Sequence, residues 1–408
     1  MNPLAFFEWI VAFRFMREGL MQTLLTIFGV ALGGGVIVFM SALLAGLQSN
    51  IVRRTLNYQA PIVILPPDQV ARPLRSGEAA LVTPQVQPRS QQLRSIDQWQ
   101  KVRVQVERVP DVIAVTPVVS GPGFAVRGAA NKAVTITGIE PETYFRVIAL
   151  AEKIIDGKFD VGTSDVIIGI ELAKDLGASV GDKLSLTTAS GASTSLNVIG
   201  LFDFGNKGVN ERNVYISLRS AQNLLNLVGG VSSIEVKVRD PFAAEIIAQS
   251  IQAQTGQQAD SWIKTNAQFF TAMAAQILAN TLIRVFVALT VALGIASVLV
   301  VSVVQKSKEI GILRAMGTSR GQVLRLFLIQ GGIIGMAGSL FGSLLAWGFL
   351  LLWRSVATNP DGTPMFIVVI EPSLFMIAAV AATLVGILSA VVPARRAAQL
   401  DPVVAIRG

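Results

Sequence analysis

Side chains able to do covalent chemistry are scarce in this sequence, and their absence narrows the function first. The chain has 408 residues with no histidine and no cysteine. Imidazole acid–base chemistry, thiol nucleophiles, disulfides and thiolate zinc sites are therefore excluded. Serine and threonine hydroxyls have no histidine base. The carboxylates of the middle region are scattered, without the close pairing of a catalytic dyad or a metal shell. A phosphate-cradling P-loop needs Gly, four residues, then Gly-Lys-Ser/Thr. The nearest string runs from Gly200 through Gly205, Asn206 and Lys207 to Gly208. Its lysine is one place late and no hydroxyl follows. Asp156-Gly157-Lys158 lacks the upstream glycine. No metal, cofactor or nucleotide site is expected in this chain, so any ATP and Mg must be bound by a partner.

The stretch that invites a functional reading is 306–328, KSKEIGILRAMGTSRGQVLRLFL. Ile310, Leu313 and Met316 recur at helical spacing with Lys308, Glu309 and Arg314 around them. Gly317 is a stop signal, and Thr318 or Ser319 can cap a following helix. The spacing predicts a short amphipathic helix that is either a plain connector or a docking knob for a partner. Residue types alone leave both open.

The surrounding elements explain why such a helix would be held in place. Hydrophobic residues make up 52% of the chain and charged residues 15%, against about 25% charged in ordinary soluble domains. The apolar surplus collects in four stretches, 24–47, 282–304, 326–353 and 374–392. Each is long enough to cross about 30 Å of hydrocarbon, which takes about 20 helical residues. Arg284 lies near one end of the second, where its side chain can snorkel to the interface. The first is longer than a signal-peptide core and follows a long amphipathic lead-in, so an uncleaved anchor is expected. Residues 1–23 carry Phe6, Phe7, Trp9, Ile10, Phe13 and Phe15 with few charges, predicting a helix in the membrane interface.

Loop charges set the orientation. Lys306, Lys308, Arg314, Arg320 and Arg325 face one acid, Glu309, between the second and third spans. Arg395, Arg396 and Arg407 follow the fourth, against Asp401, whereas Arg354 meets Asp361 and Glu371 between the third and fourth. Positive loops stay inside, so the 305–325 loop, the N-terminus and the 393–408 tail are expected in the cytoplasm, and residues 48–281 and 354–373 outside. Arg53 and Arg54 run against this pattern, but long translocated domains escape the rule.

The outer region is expected to be α+β. Residues 66–95 read as a long loop. Helical spacing at 99–109, strands at 112–117, 133–139 and 234–238, and a helix at 242–254 capped by Asp240 suggest one subdomain made from both flanks. Residues 141–230 read as a second, mostly β subdomain, with strands at 184–188 and 195–201 joined as a hairpin across 189–194.

Taken together, 306–328, the run 330–342 (QGGIIGMAGSLFG), the ending Pro393-Ala-Arg-Arg through Arg407, and Ile168-Gly169, Leu176-Gly177 and Val180-Gly181-Asp182 resemble the FtsX-like, MacB-type permeases of ABC transporters. Within that family the chain is most similar to the lipoprotein-releasing permeases, through 262–270, Gln330 and Ile370-Glu371-Pro372. The resemblance implies a helical membrane protein with an α+β domain between helices one and two. It also implies an ABC ATPase dimer as partner and a second permease copy or related permease beside it. ATPase coupling would fall to Lys308, Glu309, Ile310, Ile312, Leu313, Arg314, Met316 and Gly317. The C-terminal motif would comprise Pro393, Arg395, Arg396, Asp401 and Pro402. Lipoprotein extraction from the cell inner membrane, with handover to a periplasmic carrier, is the implied function. The short 189–194 turn lacks the hook by which some members catch the carrier. Efflux of antibiotics, peptides or lipids, and a scaffold that controls cell-wall hydrolases, are the alternatives.

Overall fold

The computed structural model describes residues 3–67, 93–357 and 372–401. They divide into two compact units: the first comprises 1–50 and 272–408, the second Ile51–Thr271.

The first unit is helical. An N-terminal helix, Pro3–Glu18, called the interfacial helix after its expected place, is separated by Gly19 from a first long helix, Leu20–Tyr58. Three more long helices follow: Ala267–Gln305, Arg320–Val356 and Pro372–Ala398. Among the described residues these four are long and apolar enough to cross a membrane, and the protein is a membrane protein with four spans. A connector helix, Ser307–Ala315, lies between spans two and three.

All four helices outrun the apolar stretches that predict them, because helical hydrogen bonding continues wherever side chains at the ends find packing. Pro393 shows this best. The expected tail starts there, yet the helix passes through it to Ala398. Pro393 forfeits a backbone donor, and the buried Ala394, Ala397 and Ala398 compensate by joining the cluster around Ala12, Phe15 and Phe327.

Glycine sets how closely these spans pack, in the manner of small residues at membrane helix interfaces. A Cβ on Gly386 of span four would lie 2.3 Å from the Gly331 carbonyl oxygen of span three, and one on Gly335 would lie 2.4 Å from the Ala382 carbonyl oxygen. Two turns further along span three, a Cβ on Gly342 would meet the backbone of Ala31 and Gly35 of span one at 2.6 and 2.9 Å. Span three is thus the centre, with span four on one side and span one on the other.

The second unit is α+β. Its strands are β1 (Ile62–Leu65), β2 (Val112–Arg127), β3 (Ala130–Ile139), β4 (Ile154–Gly157), β5 (Asp165–Gly169), β6 (Lys183–Thr188), β7 (Ser193–Phe202), β8 (Asn213–Ser217), β9 (Ser233–Val238) and β10 (Gln258–Ser261). Among the described residues they form one hydrogen-bonded sheet in the order β10-β1-β9-β2-β3-β8-β5-β7-β4, with β6 joining β2 to β7. The separate β subdomain expected at 141–230 is therefore continuous with the flank. The long strand β2 makes the join. Its first half pairs with β9 and Gly123–Val126 pair with β6. Because β6 also pairs with β7, the strands β2, β3, β8, β5, β7 and β6 close into a ring around Ala125, Val134, Ile136, Leu184, Leu196 and Val198. The sequence predicts only 112–117 of β2, since Pro117, Gly121, Pro122 and Gly123 read as breakers. They are tolerated where packing is close: a Cβ on Gly123 would sit 2.5 Å from Ile136 Cδ1.

Several local expectations are met in detail. Asp240 Oδ1 accepts from the Phe242 N–H at 2.9 Å and opens a 3-10 turn, Pro241–Ala243, that leads into the helix Ala244–Thr255. Strands β6 and β7 form the hairpin, shorter in its turn than expected because Ser193 and Thr194 still pair with Thr187 and Leu186. Of the 66–95 loop, residues 68–92 lie outside the described residues, as do 358–371 between spans three and four and Pro402 of the C-terminal motif.

Candidate coupling site between the second and third spans

The connector helix is framed by two stops. Span two ends at Gln305. After Ala315 the chain turns at Gly317, whose φ of +103° is the left-handed backbone that glycine adopts without strain. Ser319 then opens span three with a capping box: its side chain accepts from the Gln322 N–H at 3.3 Å and Gln322 Oε1 accepts from the Ser319 N–H at 2.8 Å. Of the two candidate caps, Thr318 and Ser319, the second is the one used.

The residues assigned to coupling separate onto two faces. Ile310 is fully buried and Leu313 is partly buried against a cluster with Phe15, Val323, Leu326 and Phe327. Arg314 also turns inward. Its Nη1 donates to the Ala398 carbonyl oxygen at 3.3 Å and to the Leu400 carbonyl oxygen. It thereby holds the end of span four, where two carbonyls lack helical partners. Lys308, Glu309, Ile312 and Met316 face outward. Ile312 is 44% exposed and Met316 72% exposed. Lys308, Ile312 and Met316 are spaced four apart and so form one stripe along the helix. Two apolar side chains in the open beside a lysine and a glutamate make a surface suited to an apolar groove with a charged rim.

Lys306 locks the start of the connector. Its Nζ pairs with Glu18 of the interfacial helix and with Glu309 Oε1 at 3.0 Å, and it lies 5.5 Å from the centre of the Phe15 ring. The hydrogen bond to Glu18 raises the Lys306 pKa, and the same bond lowers that of Glu18. The interfacial helix is held from span three as well. Gln330 is buried, and its Nε2 donates to the Ala12 carbonyl oxygen at 3.3 Å. Arg325 Nη1 stands 3.5 Å from Glu8, a buried carboxylate. The sequence shows Lys306 as a loop charge and Glu8 and Glu18 as polar residues of the first helix, but not that they form links, because their partners are far away in the chain.

In the C-terminal motif, Pro393 is buried, whereas Arg395 and Arg396 are exposed on the last turns of span four. Asp401 follows the end of the helix and is exposed.

In the outer unit, the base of the second long helix is anchored in the core. Trp262 is fully buried, its Nε1 donates to the Pro241 carbonyl oxygen at 2.7 Å, and its ring packs edge-on against Phe270 at 5.1 Å. Asn266 Nδ2 donates to Gln59 Oε1 at 3.1 Å, which ties together the chain entering and leaving the domain. Among the described residues no cluster of carboxylates could hold a metal ion. The Walker-like string is an ordinary strand and cap: Gly200 lies in β7, and Asn206 Oδ1 accepts from the Val209 N–H at 3.3 Å at the start of the helix Lys207–Arg212.

Four spans, a loop-borne helix with an outward apolar stripe and an α+β domain inserted after the first span define a polytopic membrane protein. The description "MacB-like periplasmic core domain" matches residues 23–254, and "FtsX-like permease C-terminal" matches residues 281–402. The chain belongs to this FtsX-like, MacB-type family of ABC transporter permeases. It is similar to the lipoprotein-releasing system transmembrane protein LolC of Neisseria meningitidis, 27% identical over 63% of this chain and 65% of that protein. It is also similar to the macrolide export ATP-binding/permease protein MacB of Agrobacterium fabrum, 25% identical over 95% of this chain and 58% of that protein. The matches thus span less than two thirds of each of these two relatives. The crystal structure of the periplasmic region of MacB from Actinobacillus actinomycetemcomitans matches 53% of this chain and 95% of its own length, at 17% identity and a TM-score of 0.34.

Proposed function

We propose that this chain is the non-catalytic, membrane-spanning subunit of an ABC transporter in the cell inner membrane. A separate ATPase dimer binds ATP and Mg, and its closure pushes on the connector helix. The connector is tied to the interfacial helix through Lys306–Glu18 and to span four through Arg314, so a push on Ile312 and Met316 is passed to the whole bundle. Spans one and two carry the motion into the outer domain, which lies in the periplasm with both termini cytoplasmic. A second copy, or a related permease, completes the assembly.

The observation that carries this reading is the two-faced connector: an inner face held to the interfacial helix and span four by polar bonds and packed against span three, and an outer face of exposed apolar residues. The client we favour is a lipoprotein drawn from the inner membrane toward a periplasmic carrier, supported by the likeness to LolC and by Gln330. Export of small molecules or peptides is the second reading. It is favoured by the likeness to MacB along almost the whole chain and by the short β6–β7 turn, which offers no hook for a carrier. Co-purification after mild cross-linking separates the two. A lipoprotein with its carrier supports the first, and an outer-membrane channel with its adaptor supports the second. Recovery of a cell-wall hydrolase alone overturns both.

A further inference from the structure

Spans three and four leave an apolar groove of about 470 Å³ beside the interfacial helix. Its mouth holds Trp9 and Arg325, its walls include Ile387 and Leu340, and Gly332 and Ala337 line it with little or no side chain. A Cβ on Gly332 would come within 3.3 Å of Ile387 Cγ1, so the missing side chain keeps the groove open. Arg325 and Leu340 both line it, and the intervening turns of helix rise about 22 Å. That exceeds the roughly 15 Å depth of one leaflet's hydrocarbon. The groove therefore runs along the membrane normal through the leaflet on the connector side, with its only charged lining residue, Arg325, at the membrane surface.

We infer that this groove binds one acyl chain of an anionic phospholipid, with the headgroup phosphate on Arg325. Length and apolarity suit a fatty acyl chain and no soluble ligand. The sign of the mouth selects among lipids, since basic residues at the membrane surface favour anionic headgroups. Arg325 directs Nη1 toward Glu8, but a guanidinium carries five N–H donors, and this side chain is 63% exposed. Trp9 beside it is 55% exposed and has the amphipathic ring that settles at headgroup depth. A lipid here would brace the interfacial helix against span three, next to the Lys306–Glu18 and Gln330–Ala12 links. The inference needs only that the protein spans a membrane, and it stands whichever client is exported.

The test is native mass spectrometry of the full chain in detergent, titrated with phosphatidylglycerol or phosphatidylcholine. The parent should retain one phosphatidylglycerol with about five-fold preference over phosphatidylcholine. Arg325→Gln should bring that preference to near unity, Arg325→Lys should keep most of it, and Glu8→Gln should increase it. Ala337→Phe should fill the groove and abolish retention of both lipids. The arginine and glutamate variants keep the test readable should Ala337→Phe fold poorly. An unchanged preference in Arg325→Gln, or full retention in a folded Ala337→Phe, overturns the inference. So does disulfide dimerisation of Met336→Cys in place of lipid retention, which would put a second copy of the chain in the groove.

Discussion

Lys306 at the start of the connector and Glu18 at the end of the interfacial helix form an ion pair across 288 residues of sequence. This contact makes the connector part of the bundle and not a loose loop. Glu18→Gln and Lys306→Met should each leave the chain inserted but reduce client release per ATP hydrolysed, and the swapped pair Glu18→Lys with Lys306→Glu should recover much of it. Because Glu18 has a lowered pKa, its contribution is present above the ordinary carboxylate pKa and is lost only as pH falls through the lowered value. Because Lys306 has a raised pKa, its contribution is lost only as pH rises through a value above 10.5. The protection factors of amides 306–315 should therefore stay level from pH 5 to pH 9 in the parent and be lower throughout that range in Glu18→Gln.

Arg314 supplies one nitrogen to two carbonyl oxygens at the end of span four. Arg314→Leu should cost about 1.5–3 kcal/mol, the range for hydrogen bonds to charged groups. It should also speed amide exchange in 394–401. Equal protection in Arg314→Leu and the parent would show that the end of span four is held by other contacts.

Gly386 and Gly348 should respond oppositely to added bulk. A Cβ at Gly386 meets backbone at 2.3 Å, and Gly348 has nothing within 4 Å. Gly386→Val should lower stability by about 1–3 kcal/mol through separation of spans three and four. Gly348→Ala should be neutral or stabilising by up to about 1 kcal/mol, from helix propensity. Thermal unfolding in detergent distinguishes the two.

Glu235 in β9 has its Oε2 sealed from solvent and without a hydrogen-bond partner, and burial pushes its pKa up to about 7. An acid with a raised folded pKa holds its proton in the native state where the unfolded chain has lost it. Stability of the outer unit should then fall as pH rises from about 4.5 to 7 and level off above that. The total change should be on the order of 1–3 kcal/mol. Glu235→Gln should flatten the profile and protect β9 against exchange at pH 8. An unchanged slope would assign the pH dependence to another group.

Much of this architecture could be read from the residues because membrane spans obey a length rule that tolerates little ambiguity. Four apolar stretches, the Gly317 stop and the Ser319 cap all fall where spacing places them. The outer unit was harder, since the length of β2 and its pairing with β6 belong to a closed ring that no local pattern announces, and Pro117 and Gly123 read as breaks. The coupling segment was visible as a segment but not as two faces. Ile310 and Met316 share the same helical spacing in the sequence. Only the packing of Phe15 and Leu326 against the connector decides that Ile310 is inside and Met316 outside. Arg314 carries a charge that reads as surface, yet the unpaired carbonyls at 398 and 400 draw it inward. The links through Glu8, Glu18 and Gln330 join residues hundreds of positions apart and leave no trace in spacing.

The central claim is that the outward face of the connector is where a separate ATPase docks. Since the chain has no cysteine of its own, single cysteines report cleanly. The direct measurement is site-specific cross-linking of the full chain, co-expressed with its ATPase, from cysteines at Ile312, Met316, Leu313 and Ser190. Ile312→Cys and Met316→Cys should capture the ATPase, while the inward-facing, partly buried Leu313→Cys and the outer-domain Ser190→Cys should not. Capture from Ser190→Cys, or none from Met316→Cys in a complex that still hydrolyses ATP, would contradict it.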